Sequence, residues 1–399
     1  MLIFKNIRST RFRATSLSVI RYLNTDTTKI TVNSLGDASG LTPSSAVAST
    51  PDFIPRSTFA HARSINWFPG HMARGLRLIS SALNSVDLVV EVRDARVPLS
   101  SVNPKFELLV GHKDRLVIYN KADLAHPRTA SLITAAFQTY TPTTPVLFTN
   151  ALTDYNVRSI INLAASKAAR VPLVTVIIVG MPNVGKSSLV NAMRRVGVRK
   201  GKAAATGAQP GVTRTVAGTI RVLEDPAVYL IDTPGVMIPH IPDPMTSLKV
   251  ALTGGIRDHL ADEQIMADYL LYRLNLFRAF GYTEYFRLPG GEPTNDVNVL
   301  LLHVARRIGA VVKGGELDFN AAARFFIKHY RDGKLGKFTL DDLREEALEK
   351  FFVGGSSPDS ERKAGEGMSK RQEEKMRKLE ERRKARNARE SSPIVIRGV

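Results

Sequence analysis

Residues 176–191 constrain the fold of this chain more than any other stretch. An apolar run with β-branched residues ends at Gly180, and a helical pattern opens after Gly185. Glycines at this spacing let successive backbone N–H groups point inward, where the helix N-terminus adds positive potential. The pattern predicts a phosphate-binding loop, with Lys186 facing the β- and γ-phosphates and Ser187 holding Mg²⁺. A strand-to-helix turn that binds no ligand is the alternative interpretation of the same glycines.

A second polar segment, residues 120–123, indicates which base the nucleotide carries. It follows the apolar run 115–119, so we expect it at the carboxyl end of a strand, where open α/β sheets bind ligands. The Asp123 carboxylate can accept hydrogen bonds from N1 and the 2-amino group of guanine, a pair of donors that adenine lacks. We expect Lys121 to lie along the base and Asn120 to tie this loop to the phosphate loop. An ordinary polar turn is the alternative for so short a motif.

These motifs together resemble those of the GTPase superfamily, and the resemblance implies the remaining contacts. Asp232 and Gly235 follow an apolar run and resemble the segment that senses Mg²⁺ and the γ-phosphate. Thr213 resembles the switch I threonine that reaches the metal, and residues 149–151 resemble the segment that touches the guanine oxygen. The implied GTP-binding residues are Asn120, Lys121, Ala122, Asp123, Thr149, Asn150, Ala151, Asn183, Val184, Gly185, Lys186, Ser187, Ser188 and Gly235. The implied metal contacts are Ser187, Thr213 and Asp232.

The order of the motifs differs from that of ordinary GTPases, because the base-reading segments at 120 and 149 precede the phosphate loop and both switches. This order, together with the segments 67–72 and 94–98, resembles the ribosome biogenesis GTPase A group of circularly permuted GTPases. The resemblance covers about residues 65–345. It implies an α/β fold with a mostly parallel sheet covered by helices on both faces, followed by a small all-α domain.

The same resemblance implies a catalytic residue and a second cation. Many GTPases place a glutamine directly after the switch II glycine, but this chain has Val236, which cannot orient a water. Members of the group also carry an apolar residue there, and the histidine equivalent to His71 is assigned the catalytic role. A neutral imidazole can accept a hydrogen bond from water, although His71 could instead cap a turn. In related GTPases an asparagine at the position of Asn183 helps to hold K⁺.

The composition excludes several kinds of site and indicates the charge of the partner. The chain has no cysteine, which excludes disulfides, thiolate metal sites and a cysteine nucleophile, and no apolar run reaches the length of a membrane span. Its formal net charge is +19. Residues 1–60 and 361–399 contribute +4 and +6, so +9 remains in the folded middle. This excess predicts a polyanionic partner for the folded surface.

The start of the chain resembles a targeting segment. Residues 1–25 carry five basic and no acidic side chains, interleaved with apolar, Ser and Thr residues. This composition is typical of a mitochondrial presequence, and a basic arm that binds nucleic acid is the alternative. We therefore predict five segments: a presequence (1–25), a linker (26–64), a permuted G domain (65–240), a helical RNA- and ribosome-binding domain (241–352) and a basic charged tail (353–399).

Helical spacing of apolar residues predicts helices at 262–280, 294–308 and 320–330 within the fourth segment. In the resembled group such a domain engages ribosomal RNA. Five side chains near its last helix are the candidates for that contact, with a merely solvated face as the alternative: Lys328, His329, Arg331, Lys334 and Lys337.

The predicted function is hydrolysis of GTP by a mitochondrial assembly factor that binds ribosomal RNA in its GTP form and leaves after hydrolysis. The predicted partners are GTP, GDP, the large mitochondrial ribosomal subunit and its rRNA, with Mg²⁺ and K⁺ as cations. We expect the protein in the matrix, and a peripheral association with the inner membrane stays open. Two alternatives are a passive RNA-binding scaffold with a structural nucleotide and a permuted GTPase outside mitochondria.

Overall fold

The computed structural model describes residues 53–61, 70–110, 113–169, 173–201, 203–204, 219–236, 241 and 243–354. The strands of the described residues are β1 (Leu88–Asp94), β2 (Arg115–Asn120), β3 (Val146–Phe148), β4 (Leu173–Gly180), β5 (Ile220–Leu223) and β6 (Ala227–Asp232). The α-helices are α1 (Gly70–Leu83), α2 (Pro104–Val110), α3 (Thr129–Tyr140), α4 (Val157–Ser166), α5 (Lys186–Val198), α6 (Pro244–Leu252), α7 (Glu263–Leu276), α8 (Gly281–Tyr285), α9 (Val297–Ile308), α10 (Phe319–Arg331) and α11 (Glu345–Gly354). None of these helices combines the length and the hydrophobicity that crossing a bilayer requires.

The strands form one sheet in the order β3-β2-β1-β4-β6-β5. All neighbouring pairs are parallel except β5, which runs antiparallel to β6 at the edge. The sequences of strands that are covered on both faces of a sheet are mostly apolar along their whole length. Val89 of β1 belongs to the same buried cluster as Ile79 of α1 on one face, whereas Val90 and Leu189 of α5 belong to the core on the other face. The predicted mostly parallel sheet with helices on both faces is confirmed.

The strand register brings the carboxyl ends of four strands together at the same end of the sheet. Asp94 at the end of β1 is opposite Asn120 at the end of β2. Gly180 at the end of β4 is opposite Val92 of β1, and Asp232 at the end of β6 is opposite Ile178 of β4. Side chains and loops that follow these four strands therefore meet at one place, as the α/β sheet rule requires.

After β6 the described chain forms helices and adds no strand to the sheet. The predicted helices at 262–280, 294–308 and 320–330 correspond to α7, α9 and α10. An aspartate caps each N-terminus by accepting hydrogen bonds from backbone N–H groups, which offsets unpaired donors of the first turn: Asp262, Asp296 and Asp318. Buried residues of these helices belong to the same continuous core as the buried residues of β1, β4 and β6.

The end of the described chain returns to the sheet. The Leu340 N–H donates to the carbonyl of Arg96 (2.8 Å), and the Asp341 carboxylate accepts hydrogen bonds from the N–H groups of Leu99 and Ser100 (both 2.8 Å). Helix α11 then packs on α3, where the ring of Phe352 stacks on Tyr140. The residues after α10 therefore join the helical part to the base-reading side of the sheet. The predicted division into segments stays a prediction.

Residues 53–61 form a strap, the N-terminal strap, on the helical part. Arg56 donates two hydrogen bonds to the carboxylate of Asp268 in α7 (2.6 and 3.2 Å). The Phe59 ring packs against Tyr269 and Tyr272 with centroids 5.2 and 5.5 Å apart. These residues lie in the stretch 26–64 that its composition predicts to be linker. The predicted presequence and residues 355–399 of the predicted tail lie outside the described residues.

Candidate nucleotide-binding site

The phosphate loop joins β4 to α5 and has the backbone geometry that the spacing of its glycines predicts. Gly185 caps α5 with φ +97°, and a Cβ atom there would lie 2.2 Å from Nδ2 of Asn120. Only glycine combines this backbone conformation with so close a neighbour. The Lys186 side chain is buried and donates to the carbonyl of Met181 (2.8 Å). The loop thus encloses the ammonium group next to the first helical turn, which also contains Ser187 and Ser188.

Burial lowers the pKa of Lys186 to about 8, because the ammonium loses water while the nearby Asp232 only partly compensates. An anion that binds next to such a buried ammonium stabilises its charged form. Bound phosphates would raise this pKa again, so we expect nucleotide binding to be coupled to proton uptake by Lys186.

We expect the affinity for GDP to be nearly constant below pH 7 and to fall about tenfold between pH 7 and pH 9. The reason is that the free protein loses the Lys186 proton near pH 8 whereas the complex keeps it. Titration calorimetry in two buffers with different ionisation enthalpies measures the affinity and the proton uptake together. Lys186→Ala is the control and should remove the uptake. An affinity that does not change over this range would contradict the prediction.

Ser187 and Asp232, two of the three predicted metal contacts, lie next to each other. The Ser187 hydroxyl donates to Oδ2 of Asp232 (2.8 Å). The other carboxylate oxygen, Oδ1, is buried and has no hydrogen-bond partner among the described residues. Burial raises the pKa of Asp232, against the opposing charge of Lys186 and the hydrogen bond from Ser187. A hydroxyl and a carboxylate with an unpaired oxygen fit Mg²⁺, which prefers oxygen ligands. The third predicted metal contact, Thr213, lies outside the described residues.

Asn120 joins the base-reading loops to the phosphate loop. Its amide nitrogen donates to the carbonyl of Val184 (2.9 Å), and its amide oxygen accepts from the Thr149 hydroxyl (3.2 Å) and the Ala151 N–H (3.1 Å). Lys121 follows with a left-handed backbone (φ 59°). One buried amide therefore holds three segments that are distant in sequence, which is the tie that the motif predicts.

Asp123 lies in a short 3₁₀ turn, Ala122–Leu124, and its side chain is exposed. The Ala122 N–H donates to the carbonyl of Thr149 (3.0 Å), which holds this turn against the second base-reading segment. Asn150 has a different task, because its side-chain oxygen accepts from the Leu152 N–H (2.9 Å) and closes its own turn. Asp123 is thus available to a ligand, as guanine recognition requires.

We expect Asp123→Asn to lower GTP affinity by about 10²-fold, because the amide presents a donor to the guanine 2-amino group. The same variant should gain affinity for xanthosine triphosphate, which carries an oxygen at that position. Competition against a fluorescent nucleotide measures both affinities. Asp332→Asn, at an exposed aspartate after α10, is the matched control. Unchanged GTP affinity in the Asp123 variant would remove Asp123 from the base site.

The switch II segment packs tightly against the phosphate loop. A Cβ atom on Gly235 would lie 2.6 Å from Cα of Pro182 and 3.0 Å from Nζ of Lys186. The Val236 N–H donates to the carbonyl of Gly180 (3.1 Å), and the Val236 side chain is fully buried in the core beneath α1. Val236 therefore has a packing role, consistent with the expectation that it does not orient a water.

Helix α1 approaches the switch II segment at Gly75, one helical turn after His71. The structure describes the backbone of His71 as the second residue of α1 and leaves its side chain outside the described atoms. Position 71 precedes Gly75 by one helical turn, and residues four apart occupy the same face of a helix. A Cβ atom on Gly75 would lie 3.0 Å from the Val236 side chain and 3.7 Å from that of Pro234. At Gly75, helix α1 thus adjoins residues 234–236.

Sequence reasoning missed several contacts of the site. Asp94 and Arg96 entered only as a motif, yet Asp94 forms an ion pair with Lys121 (3.0 Å). Asn183 donates from its amide to the carbonyl of Gly254 in the turn after α6 (2.8 Å). Asp94 could have been found from the sequence, because it is a carboxylate at the carboxyl end of a predicted buried strand. The partner of Asn183 is 71 residues away and left no signal.

Two of the five candidate RNA-contact side chains are occupied within the protein. His329 is buried, and its ring nitrogen is hydrogen-bonded to the hydroxyl of Tyr285 (2.8 Å). Arg331 forms an ion pair with Asp258 and donates to the carbonyl of Leu252 at the end of α6. Three candidates are exposed: Lys328, Lys334 and Lys337.

A mostly parallel sheet in which the base-reading loops precede the phosphate loop defines a circularly permuted GTPase. A family model described as a 50S ribosome-binding GTPase matches residues 175–275. Mitochondrial ribosome-associated GTPase 1 of Mus musculus is 41% identical over 294 residues, which span 69% of this chain and 89% of that protein. The chain belongs to the family of mitochondrial ribosome-associated GTPase 1, and it is a GTPase.

Two further relatives agree with this assignment, and one solved structure serves only as a comparison. The Xenopus tropicalis protein of the same name is 40% identical, over 71% of this chain and 96% of its own length. Mitochondrial GTPase 1 of Schizosaccharomyces japonicus is 38% identical, over 72% of this chain and 95% of its own length. The crystal structure of GNP-bound YlqF from T. maritima is 25% identical, with a TM-score of 0.46, over 68% of this chain and 99% of that chain.

Proposed function

We propose that this GTPase acts in mitochondria as an assembly factor of the large ribosomal subunit, binding rRNA in its GTP form and leaving after hydrolysis. The observation that carries the proposal is the match at about 40% identity, along most of their length, to proteins named for the mitochondrial ribosome. The compartment proposed is the matrix. The basic, acid-free residues 1–25 support that location.

The charge of the helical part supports an RNA partner. Exposed basic side chains lie on α9 and α10 and in the loops next to them: Arg306, Arg307, Lys313, Arg324, Lys328, Lys334 and Lys337. Exposed lysines and arginines bind phosphates by releasing condensed counterions, which makes such binding strong at low salt and weak at high salt. Their number is consistent with the excess of +9 in the folded middle of the chain.

In the proposed reaction the protein positions GTP and a water rather than forming a covalent intermediate. Lys186 would bind the β- and γ-phosphates, and the Gly235 N–H would bind the γ-phosphate. Asp123 and Lys121 would select guanine. Mg²⁺, when held by Ser187, Asp232 and Thr213, supplies positive charge that offsets the charge developing on the phosphate oxygens. His71 would accept a hydrogen bond from the attacking water. A dependence on K⁺ through Asn183 is a further part of the proposal.

The test is GTP hydrolysis by the purified protein with and without large mitochondrial ribosomal subunits. We expect the large subunit to raise kcat, and small subunits at the same concentration serve as the matched control. Co-sedimentation should be stronger with a non-hydrolysable GTP analogue than with GDP, and it should weaken as salt increases. Equal rates with both subunits, or sedimentation that ignores the nucleotide, would overturn the proposal.

A further inference from the structure

Asp94 is a buried carboxylate at the carboxyl end of β1, with 2% of its side chain exposed. Oδ1 accepts hydrogen bonds from the Arg96 backbone N–H (3.0 Å) and Nε (2.9 Å). Oδ2 accepts from Arg96 Nη2 (2.8 Å) and from Lys121 Nζ (3.0 Å). A carboxylate is stable in such a place only when it is paired and hydrogen-bonded. Burial alone would raise the pKa of Asp94, but the charges of Arg96 and Lys121 outweigh it and hold the pKa well below its usual range.

Lys121 divides its ammonium group between two acceptors. One is Asp94, and the other is the carbonyl of Asn183 in the phosphate loop (2.5 Å). Burial lowers the pKa of Lys121, the charge of Asp94 raises it, and the nearby Arg96 lowers it further. Asp94 is the one carboxylate paired with Lys121 among the described residues. Without it, the ammonium would keep one neutral acceptor and a cationic neighbour.

Arg96 extends this group to the helical part. Its Nη2 also donates to the carbonyl of Thr253 in the turn after α6 (3.3 Å), and the next carbonyl, of Gly254, accepts from Asn183 Nδ2 (2.8 Å). The guanidinium carbon of Arg96 lies 5.7 Å from the ring centroid of Tyr330 in α10. Arg96 is therefore fixed from two sides, and Asp94 has little freedom to follow a displaced Lys121.

We propose that Asp94 is a positioning residue for guanine-nucleotide binding, because it holds the Lys121 ammonium against the carbonyl of Asn183 and so fixes the Lys121 stem as a surface for the base. The inference rests on the proposed function, which assigns the base to Lys121 and Asp123. In this proposal Asp94 acts through Lys121, which it contacts directly, rather than on the nucleotide. Its effect on affinity therefore exists only while Lys121 keeps its ammonium group.

A double-mutant cycle tests this dependence. Lys121→Met keeps an apolar stem and removes the ammonium, and Asp94→Asn keeps the shape and removes the charge. We expect each single variant to lose about tenfold in GDP affinity, and the double variant to lose no more than the weaker-binding single variant. Independent effects would instead multiply to about a hundredfold. Affinities are measured by titration with a fluorescent GDP analogue.

The matched control is Glu91→Gln, three residues earlier on the same strand. Glu91 is equally buried and forms an ion pair with Arg93 (2.7 Å), with 2% exposure for each side chain. We expect this variant to lose thermal stability and to keep its GDP affinity within about twofold, because residues three apart on a strand lie on opposite faces of the sheet, so Glu91 is directed away from the face of Asp94. An equal loss of affinity in Glu91→Gln would show that buried charge on β1 matters only for the fold and would overturn the proposal.

The remaining outcomes separate the inference from the function on which it rests. Full GDP affinity in Lys121→Met would contradict the assignment of the base to Lys121, whereas a loss there with a multiplicative cycle would overturn the role of Asp94 alone. If Asp94→Asn does not fold, Asp94→Glu enters the same cycle, since it keeps the charge and displaces it by one methylene. Its loss of affinity must likewise disappear in the Lys121→Met background, and a loss that persists would overturn the proposal.

Discussion

Replacing Lys186 with alanine is expected to abolish GTP hydrolysis, with a fall in kcat of about 10³-fold or more, and to weaken GTP binding. The buried ammonium beside Met181 is the one basic group of the phosphate loop, and a phosphoryl-transfer site acts mainly through charge that is already in position. Single-turnover hydrolysis, measured at a GTP concentration that saturates the variant, separates the lost rate from the lost affinity.

Protein stability should not fall in this variant, which distinguishes a lost phosphate contact from a lost fold. Burial lowers the pKa of Lys186 to about 8, so at neutral pH the fold bears the cost of burying a charge that alanine removes. Lys200→Ala, at an exposed lysine beyond the other end of α5, should change neither property. Full hydrolysis by Lys186→Ala would refute the phosphate-loop assignment. An inactive variant that still supports mitochondrial translation would favour the scaffold alternative.

His71→Ala is expected to lower the subunit-stimulated rate by about 10²-fold or more while GTP affinity changes little. The prediction is motivated by the position of Gly75, one turn further along α1, where a Cβ atom would meet Val236 and Pro234 of switch II. The Val236 side chain is buried and apolar, so another element must supply the group that positions the attacking water. Steady-state rates at saturating GTP, with and without large subunits, measure the effect.

His126→Ala, at an exposed histidine in the loop before α3, is the control for His71→Ala and should keep the stimulated rate. A His71 variant that loses GTP binding in proportion to its rate would show that His71 stabilises the start of α1. A variant with its full stimulated rate would leave the positioning of the water to the parts of the chain beyond α1 and switch II.

Features that depend on a few adjacent residues were predicted well. The turn at Gly180 and Gly185 and the helices α7, α9 and α10 follow from spacing, turn chemistry and the 3.6-residue period. The order of the motifs also predicted the permuted connectivity of the sheet. Each of these motifs and periodic patterns lies within a short stretch of chain, so it can be recognised without knowing which distant residues it contacts.

Features that depend on distant partners were not predicted. The short edge strand β5 has only four residues, and the N-terminal strap holds its place through single side chains such as Phe59, which show no periodicity. Arg331 looked like a surface cation, but its carboxylate partner Asp258 is 73 residues away. The same limit applies to Asp94, whose role appears only when β1 and β2 are placed side by side.

The N-terminal strap also sets an order of events during folding. Arg56 comes early in the chain, yet its partner Asp268 is 212 residues further on, and Asn295, which bonds the backbone of Ile54 and Arg56, is later still. Contacts of such long separation form late, because the intervening chain must first be made and compacted. The strap therefore fastens only after α7 and the start of α9 exist. A chain that is synthesised or threaded N-terminus first therefore leaves this segment without its partners until α7 and the start of α9 have emerged.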